Sequence, residues 1–213
     1  MNIVLIGASG MIGSRVLQEL VARRHKVTAV VRDPSRVAAE PGVTVVEGDV
    51  MNTTAMARIF KGADAVVSAY SPGQGTEGRL MEATRSLLAS ARQAGVRRVL
   101  LAGGAGSLLV APGITVIASG HLPKEWVGIA QAHADVLEML RNSDEAAGLE
   151  WTYFSPAGFI QPGERTGKFR LGKDDLIVDA QGESRISAED YAIALVDELE
   201  KPQHVRERFT VGY

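Results

Sequence analysis

The chain has 213 residues, with 23 Lys and Arg against 25 Asp and Glu and a formal net charge of −2 at pH 7. That near-neutral balance excludes the strongly basic face on which nucleic-acid binders rely, and the absence of cysteine excludes a disulfide scaffold, a thiolate zinc site and a thiol nucleophile. With 46% hydrophobic and 23% charged residues the composition is that of an ordinary soluble globular protein, long enough to bury about 70% of its unfolded surface without staples.

The opening Met1-Asn2-Ile3-Val4-Leu5-Ile6-Gly7 has no basic leader and only a short apolar run, so no signal peptide is expected. No stretch approaches the roughly 18 apolar residues of a membrane span. The longest apolar-rich segment, from Val99 to Ser119, is broken by Gly103, Gly104, Gly106, Pro112 and Gly113. The expectation is a cytoplasmic monomer or homodimer with no membrane and no nucleic-acid partner, folded as one unit over 1–213.

In chain order, Asn2 to Ile6 has the composition of a buried strand. Met11 to Arg24 carries Ile12, Val16, Leu17, Leu20 and Val21 at the spacing of one helix face. Strands are predicted at Lys26 to Val31 and Val43 to Glu47, a short helix with a Thr cap over Thr53 to Phe60, and a strand at Ala63 to Ser68. Glu77 to Ala94 reads as a long helix ended by Gly95. A fifth strand, Val96 to Leu101, precedes a helix over Lys124 to Asn142. Trp151 to Phe154 is a sixth strand, Ala188 to Glu200 a helix capped by Ser187, and Phe209 to Val211 a last short strand. Residues 155–186, rich in Gly and Pro, are expected to form a loop region with a small hairpin lying over whatever the sheet binds. Strands alternating with helices predict an α/β fold, a doubly wound parallel sheet of Rossmann type with helices on both faces. The near-continuous apolar character of the strands agrees with a sheet covered on both sides.

The strongest motif is Gly7-Ala8-Ser9-Gly10-Met11-Ile12-Gly13, which follows a strand and opens a helix. In such a turn Gly7 permits the sharp bend, Gly10 leaves room for a pyrophosphate and Gly13 lets helix and strand pack closely. The helix N-terminus then offers free amides to phosphate. At the end of the second strand, an acid would hold the ribose hydroxyls of NAD, and a basic residue the 2′-phosphate of NADP. Asp33 lies 20 residues after Gly13, but Arg32 comes first off the strand and Ser35 and Arg36 follow, which favours NADP (NADPH) over NAD. Ser9 would add a hydroxyl there. Asp49, in Gly48-Asp49-Val50, either accepts from the adenine amino group or serves as a helix-capping acid.

These residues resemble the atypical short-chain dehydrogenase/reductase superfamily, and within it the NmrA-like, NAD(P)H-binding group that includes flavin reductase/biliverdin reductase B. The likeness lies in GASGMIGSRV at 7–16, VVRDPSRV at 30–37, GDV at 48–50, LLAGGAGSL at 100–108, SPAGFI at 155–160 and RISAEDYA at 185–192. The resemblance implies a Rossmann-type fold, NADP binding and reductase activity on planar acceptors such as flavins or quinones.

The superfamily's usual Tyr-x-x-x-Lys dyad is absent: the residues four positions after Tyr70, Tyr153 and Tyr191 are Gln74, Ala157 and Leu195, and Tyr213 has none. Alcohol dehydrogenation and sugar epimerisation therefore lack their proton-transfer residues. Hydride transfer to a flavin does not need the dyad. His133, where the resemblance places a histidine in the reductase branch, is the candidate proton donor, with Ser107 second; each has a purely structural alternative. No metal-like His spacing is present, and no Gly-x-Ser-x-Gly elbow of a hydrolase. Pro156, Ala157, Gly158 and Phe159 follow the sixth strand at the carboxyl edge, where open α/β sheets bind ligands, and are expected to flank the nicotinamide, with an ordinary surface loop as the alternative. A non-catalytic NADP-binding sensor and an isomerase or dehydratase using bound cofactor are the competing readings.

Overall fold

The computed structural model describes residues 1–73 and 75–213. Gln74, counted above after Tyr70, lies outside the described residues. In chain order the elements are β1 (Asn2–Ile6), α1 (Met11–Ala22), β2 (Lys26–Val31), β3 (Val43–Glu47), α2 (Thr53–Phe60), β4 (Ala65–Ser68), α3 (Arg79–Ala94) and β5 (Arg98–Ala102). There follow β6 (Leu109–Ala111), β7 (Ile114–Thr115), α4 (Lys124–Asn142), β8 (Glu150–Ser155), β9 (Phe159–Gln161), β10 (Arg170–Gly172), β11 (Arg185–Ser187), α5 (Ala188–Glu200) and β12 (Glu207–Gly212).

The main sheet runs β10-β12-β8-β5-β4-β1-β2-β3. Every neighbouring pair in it is parallel except β10 with β12. This is the doubly wound Rossmann order, in which β1 lies between strands that lead to opposite faces. Alternate residues of β1 feed two cores. Ile3 and Leu5 pack with Val16 and Leu20 of α1 and Tyr191 and Leu195 of α5. Val4 and Ile6 pack with Met56, Phe60, Leu87, Leu88 and Val136 from α2, α3 and α4. Both faces are dry, which is why the strands show no polar alternation.

Four rings stack through the α5 side of the sheet. Phe154 lies 4.1 Å from Tyr191 and 4.0 Å from Phe209, and His204 lies 4.4 Å from Phe209, all with planes within 11° of parallel. The last strand is thus longer than predicted and central to packing, because its Phe209 carries the ladder that joins β8 to β12.

Two local expectations are corrected. The cap of α2 is Asn52, whose side chain accepts from the Ala55 amide, while Thr53 is already helical. A turn in which the Asn52 amide donates to the Asp49 carbonyl delivers Asn52 to that position. In region 155–186, β9 pairs in parallel with β11 and β10 joins the main sheet, so the small hairpin does not form there. The segment is instead fastened to the start of α5: the Gly163 amide donates to Glu189, and the Gly167 amide and Thr166 hydroxyl donate to the buried Asp190. A hairpin does form between β6 and β7, turning at Pro112-Gly113, where Gly113 has φ +74° and so meets the positive-φ requirement of a Pro-Gly turn.

The β1–α1 junction is the tightest point of the fold. Gly7 has φ +81°, and a Cβ on Gly13 would stand 2.0 Å from the Gly7 carbonyl oxygen. Gly13→Ala is expected to cost about 1–3 kcal/mol or more, as overpacking does, read as a lower urea midpoint with an unchanged slope.

Candidate functional site

Beyond the carboxyl end of β1, at the switch point, a cleft of about 200 Å³ opens between the loops after β1, β2, β3 and β4. Its lining includes the sequence-predicted Gly7, Ser9, Gly10, Arg32, Arg36, Asp49 and Val50. Open α/β sheets bind ligands at this edge. A larger depression at the opposite edge, around Asn2, Lys26, Gly42 and Lys61, gathers the amino ends of the strands and no such set of converging groups.

Gly10 is the N-cap of α1, extended at φ −81° and ψ 172°, and offers no side-chain cap; the first turn carries no acid. The other four α-helices differ. Asn52 and Ser187 cap α2 and α5, and Glu82 and Glu125 stand in the first turns of α3 and α4. Among the described α-helices, α1 alone therefore leaves its N-terminal amides and partial positive charge uncompensated. A Cβ on Gly10 would meet only the Gly7 carbonyl at 3.3 Å, so this glycine keeps the floor of the cleft open rather than closing the turn. Met11 is exposed and Ile12 half-buried just beyond it.

At the end of β2 the acid and the bases separate. Asp33 caps the short 3₁₀ turn Pro34–Arg36 and accepts from the amide and hydroxyl of Ser35 at 3.0 and 2.6 Å. Those bonds hold its carboxyl below the usual carboxylate range. Asp33 and Ser35 are thus engaged with one another and do not line the cleft. Arg32 and Arg36 do line it, and neither has a carboxylate partner within 4.0 Å among the described residues. Asp49 is exposed and accepts from the Met51 amide, a turn bond that leaves its second oxygen available.

His133 sits one layer behind. The Tyr153 hydroxyl donates to the His133 carbonyl at 2.8 Å and accepts from the Gly104 amide at 3.2 Å. The His133 Nδ1 lies 3.1 Å from the same hydroxyl. With the phenol proton engaged, Nδ1–H must be the donor and Nε2 carries the lone pair. Burial lowers the His133 pKa to about 4, so the ring is neutral at pH 7. It lines a small cavity of about 10 Å³, room for one water, that shares Val50 and Tyr70 with the cleft. Burial also pushes the Tyr153 and Tyr191 phenols up. Tyr191 donates to the Phe154 carbonyl.

Ser107 lies elsewhere. Its hydroxyl and carbonyl accept from the buried Arg208 guanidinium, which also pairs with Asp174. Pro156 is buried, its carbonyl accepting from Thr210. Neither lines the cleft. The residues that sequence reasoning passed over are Tyr70 and Ser71. Their only signal was their place immediately after β4, the strand that flanks β1 on the other side of the switch point.

Residues 7–202 match the family model described as NAD(P)H-binding. The chain is 44% identical to the uncharacterized protein YwnB of Bacillus subtilis (strain 168), over 99% of this chain and 98% of that one. Among solved structures it is similar to a candidate epimerase from Bacteroides thetaiotaomicron, at 43% identity and TM-score 0.93, covering 100% of this chain and 96% of the other. It is also similar to a candidate NADH-flavin reductase from Streptococcus pneumoniae TIGR4, at 34% identity and TM-score 0.86, covering 100% and 99%.

Gly10→Val is expected to fold, since the position is extended and its one close neighbour is a carbonyl at 3.3 Å. It should lose NAD(P)H binding, because its side chain fills the space in front of the α1 amides. Circular dichroism checks the first outcome and fluorescence titration with NADPH the second.

Proposed function

The chain belongs to the family of NAD(P)H-binding proteins, and we propose that it is a reductase that takes its hydride from NADPH and passes it to a planar acceptor such as a flavin or quinone. The observation that carries the cofactor half is the pairing of an uncapped α1 N-terminus with two guanidiniums, Arg32 and Arg36, that have no carboxylate partner among the described residues, along one cleft. The first suits a pyrophosphate, and the second suits a terminal phosphate dianion better than a ribose diol. Asp33 supports this reading by its engagement with Ser35. The likeness to the candidate NADH-flavin reductase supports the acceptor half, although that protein's description specifies NADH.

The bound nicotinamide supplies the hydride. The chain's part is to hold the phosphates at α1, the adenosine end at Arg32, Arg36 and Asp49, and the two flat rings in register, since alignment alone accounts for much of such a barrier. No buried acid is required: a flavin nitrogen that has received hydride is basic enough to take a proton from solvent. A neutral His133 fits that arrangement. It would accept a hydrogen bond at Nε2 and is not stored as an imidazolium. The epimerase description of one relative finds little support here, because both buried phenols donate to backbone carbonyls and burial disfavours the tyrosinate such proton transfer needs.

One observation favours a second reading. Ser107 is tied to Arg208 and His133 to Tyr153, so neither candidate proton donor stands free at the cleft, which suits a non-catalytic NADP-binding sensor. Turnover separates the two. The reductase is expected to oxidise NADPH when FMN, FAD or a quinone is added, and not to oxidise simple alcohols with NADP. A folded, NADPH-binding protein that reduces none of these acceptors would establish the sensor.

Arg32→Glu is expected to weaken NADPH binding by about 1.5–3 kcal/mol through loss of a charged hydrogen bond. NADH binding should change far less, and both dissociation constants can be read by titration. His133→Ala is expected to leave turnover nearly unchanged at pH 7. A loss of about 10²–10⁴-fold would instead mark it as the general acid.

A further inference from the structure

On the carboxyl edge of the sheet, at the β5–β8 side, two large aromatic side chains stand in water. Trp126 is 44% and Phe159 45% exposed. Their ring centroids are 6.3 Å apart and their planes 15° from parallel. The four rings of the core ladder lie 4.0–4.4 Å apart and are largely buried. The Trp126–Phe159 pair is therefore not a structural stack of that kind. At 6.3 Å it lies near the loose end of offset stacking, so the two rings form a stepped apolar surface rather than a closed contact.

Both residues sit on regular elements of the fold. A helix that follows a parallel strand runs back antiparallel to it, so the first turn of α4 lies over the carboxyl edge. Residues 123–128 are all exposed, and the buried residues of α4 begin only at Val136. Trp126 thus rides on the part of α4 that projects past the sheet. Phe159 opens β9, where its amide donates to the Ser184 carbonyl and the Gly158 amide donates to the Ser184 hydroxyl. It pairs in register with Arg185 of β11. Its exposure is not the looseness of a free loop. Phe159 also rims a groove of about 490 Å³ whose walls include Pro162, Gly163, Ile186 and Tyr213. The Gly163 amide bonds to Glu189, and Glu189 pairs with Arg15 of α1, which keeps this groove next to the helix whose N-terminus faces the cleft.

We infer that Trp126 and Phe159 form the stacking platform for the planar acceptor, and that these two residues determine its selectivity for fused aromatic rings. The inference rests on the reductase reading. Fused rings are the chemistry that two adjacent, nearly parallel and half-hydrated aromatic faces recognise, since stacking on them covers apolar area on both partners without a directional hydrogen bond. Trp126 stands seven residues before His133 on α4, and Phe159 three residues after Pro156 at the exit of β8, so the platform belongs to the same carboxyl edge as the cleft.

The test uses riboflavin with the full chain saturated in NADP⁺, followed by flavin fluorescence. Trp126→Ala and Phe159→Ala should each raise the riboflavin dissociation constant about fivefold or more, with the NADP⁺ constant unchanged. Ile114→Ala, which removes an equally exposed apolar side chain on the β6–β7 hairpin, should change neither. Under turnover the two aromatic variants should raise KM for riboflavin and leave KM for NADPH alone. Folded variants that bind riboflavin as the parent does would overturn the platform while leaving the reductase standing, provided the parent turns riboflavin over. A parent that neither binds nor reduces riboflavin, FMN or menadione would overturn both. Loss of binding in the variants of a parent that binds riboflavin without reducing it would support the platform and overturn the reductase.

Discussion

A methyl group on Gly13 would stand 2.0 Å from the carbonyl oxygen of Gly7, and one on Gly7 would stand 2.6 Å from the carbonyl oxygen of Ala69. The close approach of these three backbone segments sets where α1 begins relative to β1 and β4. It fixes the direction of the α1 dipole and brings the loops after β1 and β4 to the same cleft. The cleft follows from this closure: the connections leaving β1 and β4 go to opposite faces of the sheet, α1 to one core and α3 to the other, and leave a gap at the carboxyl edge between them. Gly7 and Gly13 close the turn while Gly10 keeps its mouth clear, so three glycines in one motif have two distinct physical duties.

The other end of the binding edge is organised by a second set of close approaches. A Cβ on Gly103 would enter the Tyr153 ring at 2.2 Å, and one on Gly104 would meet His133 at 2.8 Å. The exit of β5 is thus pressed against α4, and the Tyr153 hydroxyl ties the two together through Gly104 and His133. That packing keeps His133 neutral and holds its ring against the phenol. Burial that secures a histidine against the backbone also removes the charge it would need to act as an acid.

Charged groups follow the same logic. Arg98 and Glu198 pair at 2.9 Å in the interior, with Thr152 and His204 completing the set, and Arg208 is held by Asp174 and Ser107. Breaking one partner of such a pair is costly because the other is left buried and uncompensated. Arg32 and Arg36 stand in contrast, as exposed cations along a cleft without carboxylate partners among the described residues. Glu77 and Asp33 show that acids near that edge are turned into their own loops, where the Ser35 hydroxyl and amide lower the Asp33 pKa and backbone amides lower that of Glu77.

Some of this is legible in the chain alone. The spacing of glycines after an apolar strand, the continuous apolar strands and the helix faces at Val16, Leu17 and Leu20 together fix the doubly wound fold. They also fix the gathering of Gly7, Gly10, Arg32 and Asp49 at one edge, because strand order and crossover handedness leave few alternatives. Tertiary structure alone decided the roles of single side chains. Asp33 and Arg32 are neighbours in sequence, and only the turn at Ser35 withdraws one from the cleft. Ser107 and His133 have the chemistry of catalytic residues until Arg208 and Tyr153, 101 and 20 residues away, engage them. The place of Phe159 after the sixth strand puts it at the carboxyl edge, but nothing in the sequence joins it to Trp126, 33 residues earlier on α4, with its ring centroid 6.3 Å away. Periodicity reports which face of an element is dry, but hydrogen-bond partners and ring-to-ring contacts are set by long-range packing, which no local pattern encodes.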